Sequence, residues 1–106
     1  MADEVLVEYE DRIAVITINR PHARNAINHA VSAGMAAALE ELDERYDLTV
    51  GIITGASGTF SSGMDLKAFL AGENVTIEGK GLAGFTQSPP RKPLIAAVEG
   101  WALAGG

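Results

Sequence analysis

Two short turns carry residues whose types and spacing could do chemistry. Phe60, Ser61, Ser62, Gly63, Met64 and Asp65 follow a strand-like run and lead into a short helical one. Ala102, Leu103, Ala104, Gly105 and Gly106 follow a second apolar run. Small residues beside main-chain amides let a ligand come close to the backbone. Two such turns on adjacent strands would aim two N–H groups at one point. That arrangement stabilises a carbonyl oxygen as it gains negative charge, the geometry of an oxyanion hole. On spacing alone, two ordinary packing turns account for the pattern equally well. Asp65 reads as a helix N-cap that orders its turn rather than as a proton-transfer group.

Other chemistries fail on spacing. Thr54, Gly55, Ala56, Ser57 and Gly58 resemble a dinucleotide-binding turn, but Thr59 and Ser61 stand where further glycines are needed. The turn also follows the third strand-like run instead of the first. Gly79-Lys80 is not a phosphate-binding P-loop, because no glycine sits five residues before Gly79 and Gly81 replaces the required Ser or Thr. Neither Ser61 nor Ser62 has a glycine two residues before it, so neither is a nucleophile elbow. His22 and His29 have no HExxH spacing and read as surface residues, and no metal site is expected.

The elements that would position these turns alternate between strand and helix. Val5, Val7 and Tyr9 alternate with Leu6, Glu8 and Glu10, and residues 13–19 are rich in β-branched side chains. A polar turn at Glu10, Asp11 and Arg12 makes the two a hairpin. Arg20-Pro21 ends the second strand, since Pro offers no ladder donor. A helix is expected over residues 28–46, capped by Asn28. Its apolar face is Ile27, Val31, Met35, Ala38, Leu39, Leu42 and Tyr46, at steps of three and four. Glu40, Glu41, Asp43, Glu44 and Arg45 form its solvated face. Residues 50–54 read as a strand, 55–59 as a loop and 65–70 as a short helix. Residues 71–88, broken by glycines at 72, 79, 81 and 84, read as a mobile connection with one helical stretch. Three prolines around Arg91 and Lys92 block helix. Residues 94–98 read as a strand buried on both faces, and Phe69 and Trp101 as core residues, with a place on a ligand pocket as the lesser reading. The class is α/β.

Bulk properties narrow the partners. The chain has 106 residues, one domain at most, with 47% hydrophobic and 21% charged residues, a globular balance. A net charge of −6 with scattered Lys and Arg argues against nucleic acid. There are no cysteines, which excludes a disulfide scaffold and fits a reducing compartment. The acidic N-terminus shows no signal-peptide pattern, and no apolar run is long enough to span a bilayer. A cytoplasmic location is the expectation. The Asn74-Val75-Thr76 sequon reads as a chance match.

Four collinear blocks make the chain resemble the crotonase (enoyl-CoA hydratase/isomerase) family. The first is Ile16-Thr17-Ile18-Asn19-Arg20-Pro21 with Asn25-Ala26; the second is Phe60-Ser61-Ser62-Gly63-Met64-Asp65-Leu66-Lys67. The third is Lys92-Pro93-Leu94-Ile95-Ala96-Ala97-Val98-Glu99-Gly100, and the fourth is the turn from Gly100 through Trp101 to Gly106. The resemblance implies a crotonase-like α/β fold, a spiral of repeated ββα units, with residues 1–106 as the N-terminal portion of its core and the C-terminal remainder absent. It implies that the backbone N–H groups of Met64 and Gly105 form the oxyanion hole for an acyl-CoA thioester. Ala23, Arg24, Ser62, Leu66 and Lys67 would line the pocket for the CoA moiety. No cofactor is implied, since CoA enters as part of the substrate.

By the same resemblance the catalytic glutamates lie beyond Gly106, the first expected two positions on. Glu73, Glu78 and Glu99 match no such role. The family often has Gly where this chain has Ala104, a mild change. Hydration of a 2-enoyl-CoA in fatty-acid metabolism is the implied reaction. Isomerase or hydrolase chemistry, or a non-catalytic acyl-CoA-binding module, are the alternatives. The 106 residues alone are expected to be inactive, and the complete protein to form a homotrimer or dimer of trimers.

Overall fold

A four-stranded mixed sheet forms the frame. The computed structural model describes residues 3–106. Strand β1 (Val5–Glu10) and β2 (Ile13–Ile18) pair antiparallel, with Val5 opposite Ile18 and Glu10 opposite Ile13. The connecting turn is tight because Asp11 takes a left-handed conformation (φ 54°), which Asp tolerates better than most residues. Strand β3 (Val50–Gly55) runs parallel to β2, and a third strand of the parallel set, Leu94–Ala96, runs parallel to β3 at the sheet edge. Helix α1 (His29–Glu44) makes the crossover from β2 to β3 and covers one sheet face. The order β1–β2–α1 is a ββα unit, and the mixed α/β architecture is the one expected.

The core forms where α1 meets the sheet. Ala14, Ile16 and Ile18 point from β2 to one side, and Val31, Met35, Ala38, Leu39 and Leu42 point back from α1. Full burial of each larger side chain contributes about 1.5–3 kcal/mol of hydrophobic free energy. Asn28 caps α1 as expected, its Oδ1 accepting from the Val31 amide at 3.0 Å. The helix stops at Glu44. Tyr46, expected on its apolar face, lies beyond the end and is 99% exposed.

Residues 71–88 depart from expectation. They contain no helix; they hold a two-stranded antiparallel hairpin, β4 (Thr76–Ile77) and β5 (Gly81–Leu82), among turns. Val75 and Ala83 are buried, and the Ser32 hydroxyl of α1 donates to the Val75 carbonyl at 2.5 Å. The glycines that break the pattern supply turns, while two small apolar side chains and one buried hydroxyl pin the segment to the helix. The edge strand, β6 (Leu94–Ala96), also differs. It is shorter than expected, pairs with β3 alone among the described residues, and is not buried on both faces. Ile95 and Val98 are each about half exposed.

The lysine just before β6 secures the far end of α1. Lys92 Nζ donates to the carbonyls of Leu42 (2.6 Å), Arg45 (2.5 Å) and Leu48 (2.8 Å). Asp43 in turn accepts from the amides of Arg91 and Lys92. Burial raises the Asp43 carboxyl, but these amides and the neighbouring cations outweigh it and hold the group below its ordinary range. Among the described residues no helix is long and apolar enough to cross a membrane.

Candidate functional site

The first turn grows out of β3 through a single 3-10 turn, Ala56–Gly58, and ends at α2 (Leu66–Leu70). The second follows β6. Paired main-chain bonds lace the two together. Phe60 N donates to Glu99 O at 2.9 Å, Ser61 N to Trp101 O at 3.0 Å, and Leu103 N to Ser61 O at 3.1 Å. At the tips the approach is closest around Gly63. A Cβ added there would lie 2.8 Å from the Leu103 carbonyl oxygen and 3.1 Å from the Gly105 nitrogen. Gly63 also has φ 94°, a region that side-chain-bearing residues rarely enter.

The direction of the Met64 amide follows from its neighbours. Ile27 N donates to Gly63 O at 2.8 Å, and Asp65 N donates to Ile27 O at 2.9 Å. In a trans peptide the C=O and N–H point in opposite directions. The Met64 N–H is therefore turned away from Ile27. Neither the Met64 nor the Gly105 amide donates a hydrogen bond among the described residues.

A concavity of about 860 Å³ opens on this face. Its lining includes Ala23, Arg24, Ser62, Met64, Leu66 and Lys67. The structure thus brings together the five expected CoA-contact residues and Met64. Gly105 is not on that lining; it borders a smaller cavity of about 70 Å³ with Phe60, Phe85 and Gly106. A third pocket, about 320 Å³, shares Arg24 and Ser62 with the largest and adds Thr59, Trp101 and Leu103. Trp101 is 63% exposed and Phe69 55%, so the expectation that both pack in the core is corrected. Trp101 sits on the arm after the edge strand and lines a pocket. Phe69 sits on the outer side of α2, where Leu66 and Leu70 are exposed as well.

Three polar residues that sequence reasoning left without a role hold the site. Asn25 is fully buried in a left-handed conformation (φ 55°). Its Oδ1 accepts from Arg20 N at 2.8 Å, and its Nδ2 donates to Ala56 O at 2.9 Å and Thr59 O at 2.6 Å. Ser61, also fully buried, donates through Oγ to Asn25 O at 2.8 Å and accepts from Gly63 N at 3.1 Å. Arg20 donates through Nη1 to Ala26 O (2.8 Å) and Asp65 Oδ2 (2.9 Å). Its Nε lies 2.9 Å from a Glu4 carboxylate oxygen but makes no aligned hydrogen bond. Arg20 and Asn25 both stand in the Asn-Arg-Pro…Asn-Ala block, and most of their buried polar atoms find partners within the fold.

Asp65 is the one carboxylate on the lining of the largest pocket. Its Oδ1 accepts from Ala68 N at 3.0 Å, the N-cap geometry expected. The Ala68 amide, then the Arg20 guanidinium, hold the carboxyl below its ordinary range against the opposing effect of burial. It is ionised and engaged at neutral pH, so it is a poor proton donor. No group of three or more His, Asp or Glu among the described residues could hold a metal ion.

Known proteins share this fold. A family model described as enoyl-CoA hydratase/isomerase matches residues 8–106. The probable enoyl-CoA hydratase echA8 of Mycobacterium bovis is 38% identical over 109 aligned positions, covering 98% of this chain and 41% of that protein. A probable enoyl-CoA hydratase/isomerase from Mycobacterium abscessus, solved by crystallography, is 66% identical with a TM-score of 0.94, over 99% of this chain and 41% of that one. An enoyl-CoA hydratase structure from Mycobacterium tuberculosis H37Rv is 63% identical with a TM-score of 0.96, over 98% and 41% respectively. The chain thus spans about two-fifths of the length of these relatives. With residues 8–106 matched by the family model, and the fold superposing on solved members, the chain belongs to the crotonase (enoyl-CoA hydratase/isomerase) family.

Proposed function

We propose that this chain supplies the thioester-binding part of an acyl-CoA enzyme. Met64 and Gly105 donate their backbone N–H groups to the thioester oxygen, and Ala23, Arg24, Ser62, Leu66 and Lys67 hold the CoA moiety. The observation that carries this is the close approach of Gly63 to the Leu103–Gly105 backbone, beside two amides with no partner of their own among the described residues. Such donors act on the charge that develops in the transition state; losing one typically costs ~3 kcal/mol. Arg24 and Lys67 give an otherwise acidic protein local cations for the CoA phosphates.

For a full-length protein containing this chain we propose hydration of a 2-enoyl-CoA in fatty-acid metabolism, in the cytoplasm, by a homotrimer or dimer of trimers without a metal or redox cofactor. The names of the relatives support the reaction. The 106 residues alone bind without turnover, because the one carboxylate at the largest pocket, Asp65, is already engaged by Arg20 and Ala68. Calorimetry with butyryl-CoA and a 2-enoyl-CoA, followed by a hydration assay on both the chain and a full-length form, tests these claims. Absence of thioester binding to the chain would sink the site assignment. Full-length protein that binds an enoyl-CoA but never hydrates it would sink the reaction and leave a binding module.

A further inference from the structure

We infer that Ser61 is a positioning residue that sets the direction of the Met64 amide; the inference rests on the thioester site proposed above. Ser61 is fully buried and polar, and it is bonded to both arms of the site at once. Its main chain takes the second arm through Trp101 O and Leu103 N. Its hydroxyl serves the first arm, accepting from Gly63 N at 3.1 Å while donating to Asn25 O at 2.8 Å. A hydroxyl has one hydrogen to donate and lone pairs to accept, so both bonds form together without conflict.

Gly63 is the swivel on which the Met64 amide turns. Ser61 Oγ holds the N–H on one side of it, and Ile27 N holds the C=O on the other at 2.8 Å. With no side chain to limit rotation, a glycine at φ 94° keeps its orientation through those two bonds. Removing the hydroxyl leaves a buried N–H and a buried carbonyl without partners, and buried groups move to find new ones. The rotation that relieves Gly63 N also swings the next peptide, whose N–H belongs to Met64. Ser62, the neighbouring hydroxyl, lines the pocket and makes a different contribution through the Ser62 N to Arg24 O bond at 3.1 Å.

The experiment is isotope-edited infrared spectroscopy of carbonyl-¹³C butyryl-CoA bound to the chain, with S-butyl-CoA, a thioether without the carbonyl, as the second ligand. Two amide donors polarise the carbonyl and lower its stretch on binding. In Ser61→Ala, about half of that shift is lost, since one of two donors is misdirected. Affinity for S-butyl-CoA changes less than tenfold, since the CoA contacts are untouched. Ser61→Cys keeps a weak donor and acceptor in a similar volume and falls between the two; it replaces the alanine variant if the latter does not fold. A variant that melts lower but keeps the full carbonyl shift overturns the inference and makes Ser61 merely structural. If the unsubstituted chain binds both ligands with no carbonyl shift, the Met64–Gly105 hole itself fails, and the inference with it.

Discussion

Replacing Lys92, a part-buried residue just before β6, by Met should destabilise the protein strongly. The last turn and a half of α1 carries Glu40, Glu41, Asp43 and Glu44, all placed against the negative end of the helix dipole. The last turn of the helix has no basic residue of its own. The compensation comes from Lys92, whose ammonium reaches three carbonyls at 2.6, 2.5 and 2.8 Å across sequence gaps of 50, 47 and 44 residues. A hydrogen bond to a charged group contributes about 1.5–3 kcal/mol net. Three bonds sharing one ammonium do not add fully, so about 3 kcal/mol is a fair sum. Met keeps most of the stem packing and removes the charge and all three donors. At 4–8 °C per kcal/mol for a domain near this size, the melting temperature should fall by roughly 12–24 °C. Lys80→Met is the control: it breaks only the exposed pair with Glu40, of the kind that contributes about 0–1 kcal/mol. Thermal and urea melts followed by circular dichroism measure both. A loss below about 1 kcal/mol for Lys92→Met would show that the carbonyls are as well served by water, and would refute the reasoning.

Three further outcomes are expected. Gly63→Ala places a methyl 2.8 Å from the Leu103 oxygen at φ 94°; it should cost at least about 1–2 kcal/mol of stability in urea melts and abolish the thioester carbonyl shift while CoA itself still binds. Arg24→Ala and Lys67→Ala should each weaken binding of a CoA thioester by roughly tenfold and flatten its salt dependence, read by calorimetry at two ionic strengths; an unchanged salt response would remove them from the phosphate site. Stability should fall on acidification. The folded-state pKa values of Asp43 and Asp65 are lowered, so their contribution is whole above the unfolded value near ~3.9 and is lost as pH drops through the lower folded values. Urea midpoints taken from pH 6 downward check this, and Asp43→Asn should shallow the acid limb.

The hairpin, α1 and its Asn28 cap, and the Asp65 cap were legible because their signals are local: alternation, three-and-four spacing, and a short polar side chain at a helix start. The residues proposed to contact CoA came from resemblance alone, and the fold gathers them around one concavity. What stayed hidden depends on partners distant in the chain. Asn25 looks like any loop asparagine until Ala56 and Thr59 arrive to accept from it. Lys92 looks like a surface lysine until α1 ends beneath it. Ile95, Phe69 and Trp101 show the opposite error: a side chain's apolarity says that it should be covered, and nothing about what stands there to cover it.

The Asn25 bonds also govern when the site can exist. The two made by its amide nitrogen join positions 31 and 34 residues apart, so neither forms until a long loop has closed, and closure of that loop requires β3 to have found β2. Contacts of such separation are late and entropically costly for a folding chain. No peptide covering residues 60–65 alone will hold the turn, however faithful its sequence. The candidate site is therefore a property of the assembled sheet, and its appearance during refolding should track the slowest phase of core formation.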